Sequence, residues 1–195
     1  MLIKLRESLI FTLSMEKILK ILKAGKLVLA PTDTVWGIVC DATNPNAVGK
    51  VYNLKKRPDS KAMVCMVSDI EMLKKYIPDF PKNLDEYIND QRPTTVIYNN
   101  PVGIAKNAVA EENTVAIRIV NHHFCSPLIS KFGKPLISTS ANISGNPNPQ
   151  TFSEIDNEIL MGVDHIVELD QDKSNPHPSR IIKINLSGEI SLLRA

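Results

Sequence analysis

Several features are scarce in this chain, and each scarcity removes a class of protein. Cysteine occurs three times, at Cys40, Cys65 and Cys125, with wide spacing and no Cys-x-x-Cys pair. An odd, scattered set argues against a disulfide framework and reads as small, reduced core residues of a cytosolic protein. Aromatic residues are 5% of the chain, too few for the stacked platform of a sequence-specific RNA binder. Charge of one sign is not in excess: 23 Lys and Arg face 21 Asp and Glu. Anion or nucleic-acid binding must therefore come from a local patch. No apolar run approaches the ~18 residues of a membrane span. The first eight residues carry charges and lack a small-residue cleavage site, which makes a poor signal peptide. Neither Gly-x-x-x-x-Gly-Lys-Ser/Thr nor Gly-x-Gly-x-x-Gly occurs, so P-loop and Rossmann readings are disfavoured. These observations together predict a soluble, cytoplasmic protein.

What is present is enough for one domain. The 195 residues are 43% hydrophobic, which fills a core, and 23% charged, which excludes intrinsic disorder. Met15–Gly25 has an apolar stripe at Ile18, Leu19 and Leu22, so it reads as a helix capped by Ser14 and Gly25. Leu27–Ala30 reads as a short buried strand and Pro45–Leu54 as a helix. Ala62–Val67 reads as a central strand, Ile70–Tyr76 as a helix, and Thr94–Tyr98 and Thr114–Ile119 as strands. Ser126–Phe132 reads as a helix stopped by Gly133, and Leu136–Ser138 as a strand. The stretch rich in Asn, Pro and Gly from Asn142 to Thr151 is a loop. Phe152–Leu160 reads as a helix, His165–Leu169 as a strand, and Arg180–Asn185 with Ile190–Arg194 as a hairpin turning at Ser187-Gly188. Strands alternating with helices give an α/β fold, and the terminal hairpin makes its sheet mixed. Residues 1–14 read as an N-terminal extension, a strand of the same domain, and residues 15–195 as the domain proper.

Four polar groups carry the candidate chemistry. Lys55-Lys56-Arg57, followed by Pro58 and Lys61, is a cluster of cations at a helix end. Arginine offers a planar fork to an oxyanion and lysine a point charge, so the cluster suits a polyphosphate; it equally suits a solvated helix end. Ser138-Thr139-Ser140-Ala141-Asn142 follows the apolar run Pro135-Leu136-Ile137. It has no histidine or lysine at the spacing of an activated nucleophile, so its roles are binding of phosphate or ribose, or a polar turn. Pro31-Thr32-Asp33-Thr34-Val35-Trp36-Gly37 also lies just past a strand, where ligand sites form in α/β sheets; Thr32 and Thr34 could bind a small polar ligand or cap a turn. Arg118 is embedded in a core strand, so it pairs internally or holds an anion such as a carboxylate. His122, His123, His165 and His177 form no convincing metal set, since adjacent histidines on a strand point to opposite faces.

The order of these groups resembles the YrdC/TsaC-like threonylcarbamoyl-AMP synthase family over about residues 15–194. The strings that carry it are Pro31 to Gly37, then Lys55-x-Arg57-Pro58 with Lys61, then Ala116-Ile117-Arg118. Gly133 to Asn142 with Ser144, Gly145 and Pro147 follows, and then Pro178-Ser179. The resemblance implies a strongly twisted α/β sheet around a positively charged concave cavity, in the short, single-domain form. It implies a nucleotidyl transfer in which L-threonine, bicarbonate or CO2, and ATP give threonylcarbamoyl-AMP and pyrophosphate. Other proteins would then pass the threonylcarbamoyl group to N6 of adenosine 37 of tRNA. Synthase members carry a Lys-x-Arg and Ser-x-Asn tetrad, here Lys55, Arg57, Ser140 and Asn142. The resemblance makes Lys55 and Arg57 catalytic, and places Lys55, Arg57, Lys61, Ser138, Ser140 and Asn142 on the nucleotide. It places Thr32, Thr34, Arg118 and Ser179 around threonine. Mg2+ would arrive with ATP, with no protein-liganded metal. Trp36 replaces a common tyrosine as an aromatic wall, Arg180 adds a charge beside the threonine pocket, and Arg194 matches an arginine whose role stays open. Direct binding of tRNA or double-stranded RNA also stays open, and the alternative reading is an RNA-binding or ribosome-maturation protein that uses the same cationic cavity.

Overall fold

The computed structural model describes residues 2–57, 63–81, 84–88, 90, 92–174 and 177–195. Its first element corrects an expectation. Residues 2–14 do not supply a strand; helix α1 runs unbroken over Leu2–Lys23. The segment has no glycine or proline and over half of it is Leu, Lys, Arg and Glu, which lose little in a helix. Ser14 therefore lies inside the helix rather than at its cap. Met15, Ile18, Leu19 and Leu22 form the buried stripe. Gly25, at φ +66°, ends the helix, with its N–H on Leu22 O and the Lys26 N–H on Ile21 O.

The chain then builds β1 (Val28–Ala30) and β2 (Gly37–Asp41). Strand β2 was not legible in the sequence, because Gly-Ile-Val-Cys-Asp is buried throughout and shows no alternation. Helix α2 (Pro45–Lys55) starts where the Asn44 side chain accepts the Asn46 and Ala47 N–H groups, with Pro45 at the first helical position. It stops at Lys56, whose backbone is left-handed at φ 51°. Next come β3 (Val64–Val67), α3 (Ile70–Tyr76), the short α4 (Asp85–Ile88), β4 (Thr94–Asn99) and β5 (Thr114–Ile119). A 3-10 turn at Lys106–Ala108 links β4 to β5. Helix α5 (Cys125–Phe132) leads through Gly133 into β6 (Leu136–Ser140).

The expected helix over Phe152–Leu160 is two pieces, a 3-10 turn at Phe152–Glu154 and α6 at Asn157–Gly162. Ile155 is extended between them and buries its side chain, which breaks the helical path. Strand β7 is only His165–Ile166, and β8 (Arg180–Ile184) and β9 (Ile190–Arg194) form the expected hairpin.

The nine strands make one twisted mixed sheet in the order β7-β1-β2-β6-β3-β5-β4-β8-β9. Pairs β1/β7, β3/β5 and β4/β8 are parallel and the rest antiparallel. Helices α1 and α5 pack together, α5 and α3 lie against β3, and α2 lies against β2. The three thiols are buried, and burial pushes all of them up, Cys65 to about 12, so they are inert core groups. Among the described residues, no helix is long and apolar enough to cross a membrane.

Candidate functional site

Register puts the candidate residues on one face of the sheet. Gly37 pairs with Ser140, Val39 with Ser138, Ser138 with Val64, and Val64 with Ala116. The side-chain period of two then brings Gly37, Ser138, Ser140, Val64 and Arg118 to the same side. Strand β6 runs two residues further than expected, so Ser140, like Ser138, projects from a strand rather than from a loop. Together with Thr34, Val35, Arg57, Asn148, Ser179, Ile181 and Arg194, these residues line a cavity of about 230 Å³. Its described lining contains three arginines and no carboxylate.

Gly37 has a defined task here. A Cβ at that position would lie 2.6 Å from Ser138 Oγ, so any larger residue would push the hydroxyl aside.

The basic cluster after α2 divides three ways. Arg57 enters the cavity, and burial lowers its pKa from the usual arginine value. Lys56 turns outward to Glu158 of α6, 2.8 Å away and largely in solvent. Lys55 turns inward and is 1% exposed. Its Nζ donates to Ser140 O at 2.5 Å, Asn142 O at 2.6 Å and Asn142 Oδ1 at 3.1 Å. Burial, with help from Arg57, pushes the Lys55 ammonium down to about 8. Lys55 and Asn142 thus stand behind Ser140, outside the described lining of this cavity. Lys61 lies outside the described residues.

Arg118 is paired internally, the first of the two readings of a buried arginine. One amino group lies 3.0 Å from Asp33 Oδ1, with both side chains almost fully buried. Its Nε, also buried, has no hydrogen-bond partner, and the guanidinium borders the cavity. Asp33 had not been singled out within its motif. The flanking threonines are ordered by the same loop. Thr32 Oγ1 donates to Val35 O at 2.8 Å, and a carbonyl can only accept. The 3.1 Å contact between the two hydroxyls therefore has Thr34 as donor, which leaves the Thr34 lone pairs for a ligand. Thr32 sits one hydrogen bond behind the wall.

Ser179 lies opposite, bonded to Thr95 Oγ1 at 2.7 Å. Arg194, whose role the sequence left open, grips the Ser179 carbonyl with Nε and Nη2 at 2.9 and 2.7 Å and lines the cavity from β9. Burial and the nearby Arg118 charge lower its pKa. The position follows from pairing of Arg194 with Ile181, but only once the hairpin register is known. Arg180 is not near this pocket. It alternates to the opposite face, where it donates to Asp90 Oδ2 and Thr94 Oγ1 and lies over the Tyr87 ring. Trp36 is 5% exposed and packs on Phe152 with ring centroids 4.9 Å apart, so it anchors the loop after β6 instead of walling the cavity.

The adjacent histidines also behave differently from expectation. They follow β5 in a turn, and both Nε2 atoms approach Asp170 Oδ2, at 3.5 and 3.4 Å. His122 Nδ1 accepts the backbone N–H groups of Phe124 and Cys125 at the start of α5. The neutral ring therefore carries its proton on Nε2, on the side of Asp170, and burial holds the ring toward that neutral form. A metal ion would need the lone pair that this tautomer lacks.

Known proteins share this architecture. The Sua5/YciO/YrdC family model, described as "Telomere recombination", matches residues 20–195. A Methanocaldococcus jannaschii protein provisionally named threonylcarbamoyl-AMP synthase is 36% identical over 91% of this chain and 85% of its own. The Vibrio campbellii threonylcarbamoyl-AMP synthase is 31% identical over 74% of this chain and 80% of its own. A solved structure of P. abyssi Sua5 complexed with L-threonine superposes with a TM-score of 0.80 at 23% identity, covering 92% of this chain. This chain spans about half of that longer protein, 53%. With the family model matched over residues 20–195 and a relative 36% identical over 91% of the chain, the chain belongs to the Sua5/YciO/YrdC family.

Proposed function

We propose that the chain is a threonylcarbamoyl-AMP synthase, a nucleotidyltransferase that joins L-threonine, bicarbonate or CO2, and ATP. The observation that carries this reading is the cavity itself: three arginines and two serine hydroxyls on one face of the sheet, with a buried guanidinium N–H left unpaired beside Thr34 and Ser179. The family relatives named for this activity, and the Sua5 structure that holds L-threonine, support it.

In this reading the free edge of Arg118 takes the threonine carboxylate, a charge-assisted bond that Asp33 orients from behind. The Thr34 lone pairs accept from the ammonium or hydroxyl of threonine. Arg57 and Arg194 face the phosphates, and Ser138 and Ser140 face the rest of the nucleotide. The amine of threonine adds to CO2 and loses a proton to give a carbamate. A carbamate oxygen then attacks the α-phosphorus, the bond to the β-phosphate breaks, and pyrophosphate leaves. No protein nucleophile is required; the residues act by positioning and by stabilising charge on the phosphoryl oxygens. Mg2+ enters as part of the MgATP substrate, held by phosphates and water, which suits a wall whose described residues include no carboxylate.

Pyrophosphate release from ATP and bicarbonate, with and without L-threonine, tests the reading, with mass detection of the adenylate. Threonine-dependent release with the threonylcarbamoyl-AMP mass is expected. ATP binding without it would leave the family in place and remove the activity.

A further inference from the structure

We propose that Lys55 is a positioning residue: its ammonium fixes the amide of Asn142 and, through it, the hydrogen-bonding sense in which Ser140 meets the nucleotide. The inference rests on the reading of the cavity as an ATP site.

A lysine ammonium has three N–H donors and no acceptor. All three are engaged, by Ser140 O, Asn142 O and Asn142 Oδ1, on a side chain that is 1% exposed. None remains for a phosphate unless the turn opens. The contact with Asn142 does more than fill a valence. Because an ammonium only donates, it forces the amide oxygen inward. The amide nitrogen then points away and donates to Asn146 O at 2.6 Å. The inward oxygen also accepts the Ser140 hydroxyl proton at 2.6 Å. Ser140 Oγ, on the cavity wall, therefore offers lone pairs rather than a proton. The matching ligand atom is a donor, such as a ribose hydroxyl or a water on the phosphate-bound Mg2+, and not a bare phosphate oxygen.

A second link closes the unit, since Lys55 O accepts the Ser144 N–H at 2.9 Å. The two halves of the tetrad, 85 residues apart, are thus one hydrogen-bonded assembly. Arg57 is the charged group facing Lys55; β6 and the following turn bring only uncharged residues, and Glu158 of α6 is held by Lys56. Losing the proton frees the Asn142 amide to rotate, and Ser140 then loses its fixed sense.

The test is ATP affinity between pH 6.5 and 9.5 for the wild type and Asn142→Ala. In the wild type, affinity should fall about tenfold through pH ~8, the scale of one charge-assisted contact. In Asn142→Ala the affinity should be low throughout and nearly independent of pH, because the lysine has lost its route to Ser140. Lys55→Met combined with Asn142→Ala should bind no more weakly than the worse single variant. A pH dependence retained in Asn142→Ala, or losses that multiply in the double variant, would overturn this inference and leave the synthase reading intact. Absence of ATP binding by the wild type would overturn both. If Asn142→Ala fails to fold, nitrogen NMR of the wild-type lysine decides. By linkage, a tenfold affinity change appears as a rise of about one unit in the Lys55 pKa on binding ATP, and that rise is expected; no rise would overturn the inference, and a rise of about two units or more would also overturn it by showing direct contact with phosphate. Comparison of ATP with its 2′-deoxy and 3′-deoxy forms identifies the donor: loss of affinity for one assigns the ribose, and equal affinity assigns the metal-bound water.

Discussion

Replacing Arg118 by lysine separates its two contacts. The native guanidinium holds Asp33 at 3.0 Å with one amino group, has a buried Nε without a hydrogen-bond partner, and borders the cavity. A lysine has one ammonium, and the buried Asp33 will claim it, because an unpaired buried carboxylate is costly. Stability should therefore change little. Arg118→Met, which strands Asp33, should instead cost about 3–5 kcal/mol, or roughly 6–20 °C in Tm for a chain of this size. What lysine cannot replace is the second donor for the threonine carboxylate. A hydrogen bond to a charged group is worth about 1.5–3 kcal/mol, which is about 10- to 150-fold in kcat/KM for threonine. ATP affinity should stay within about twofold, since the proposed reading gives the phosphates to Arg57 and Arg194 rather than to Arg118. The assay is initial-rate pyrophosphate release against threonine at saturating ATP, with thermal unfolding alongside. An unaltered threonine KM in a folded Arg118→Lys protein would refute the assignment. An equal loss toward ATP would show that the arginine acts on the cavity as a whole.

Three further outcomes follow from the geometry. Gly37→Ala places a methyl 2.6 Å from Ser138 Oγ, so titration should show weaker ATP binding with Tm lowered by only a few degrees. Ile18→Ala removes a fully buried side chain of α1 and should cost about 2–5 kcal/mol in urea unfolding, with the cavity residues untouched. Lys55 titrates near 8 when folded and near the ordinary lysine value, 10.5, when unfolded. Between those limits the unfolded chain binds more protons, so this group makes stability rise with pH across about 8 to 10.5. Wild-type stability relative to Lys55→Met should therefore climb through that window while ATP affinity falls, and a parallel fall of both would sink the linkage.

Local chemistry wrote much of this molecule into its sequence. Caps at Asn44, Gly25 and Gly133, apolar stripes in α1 and α5, the apolar run of β3 and the β-branched residues of β5 each specify their element through contacts within a few residues. The polar groups past the strands were legible as candidates for the same reason: Thr32, Thr34, Ser138 and Ser140 interrupt apolar runs at strand ends. Residues 1–14 misled because helix and strand formers overlap there, and β2 was hidden because a strand buried on both faces has no period. The sequence could not say which way a long side chain turns. Lys55, Lys56 and Arg57 are consecutive and chemically alike, yet one holds a turn, one meets Glu158 and one enters the cavity. That division depends on rotation about α2 and on the left-handed break at Lys56. The Asp33–Arg118 pair, the reach of Arg194 and the outward path of Arg180 likewise depend on sheet register between residues 13 to 86 positions apart. Period and capping are local and sum along the chain. Register and facing are settled only when non-local strands pair and a buried charge must find its partner.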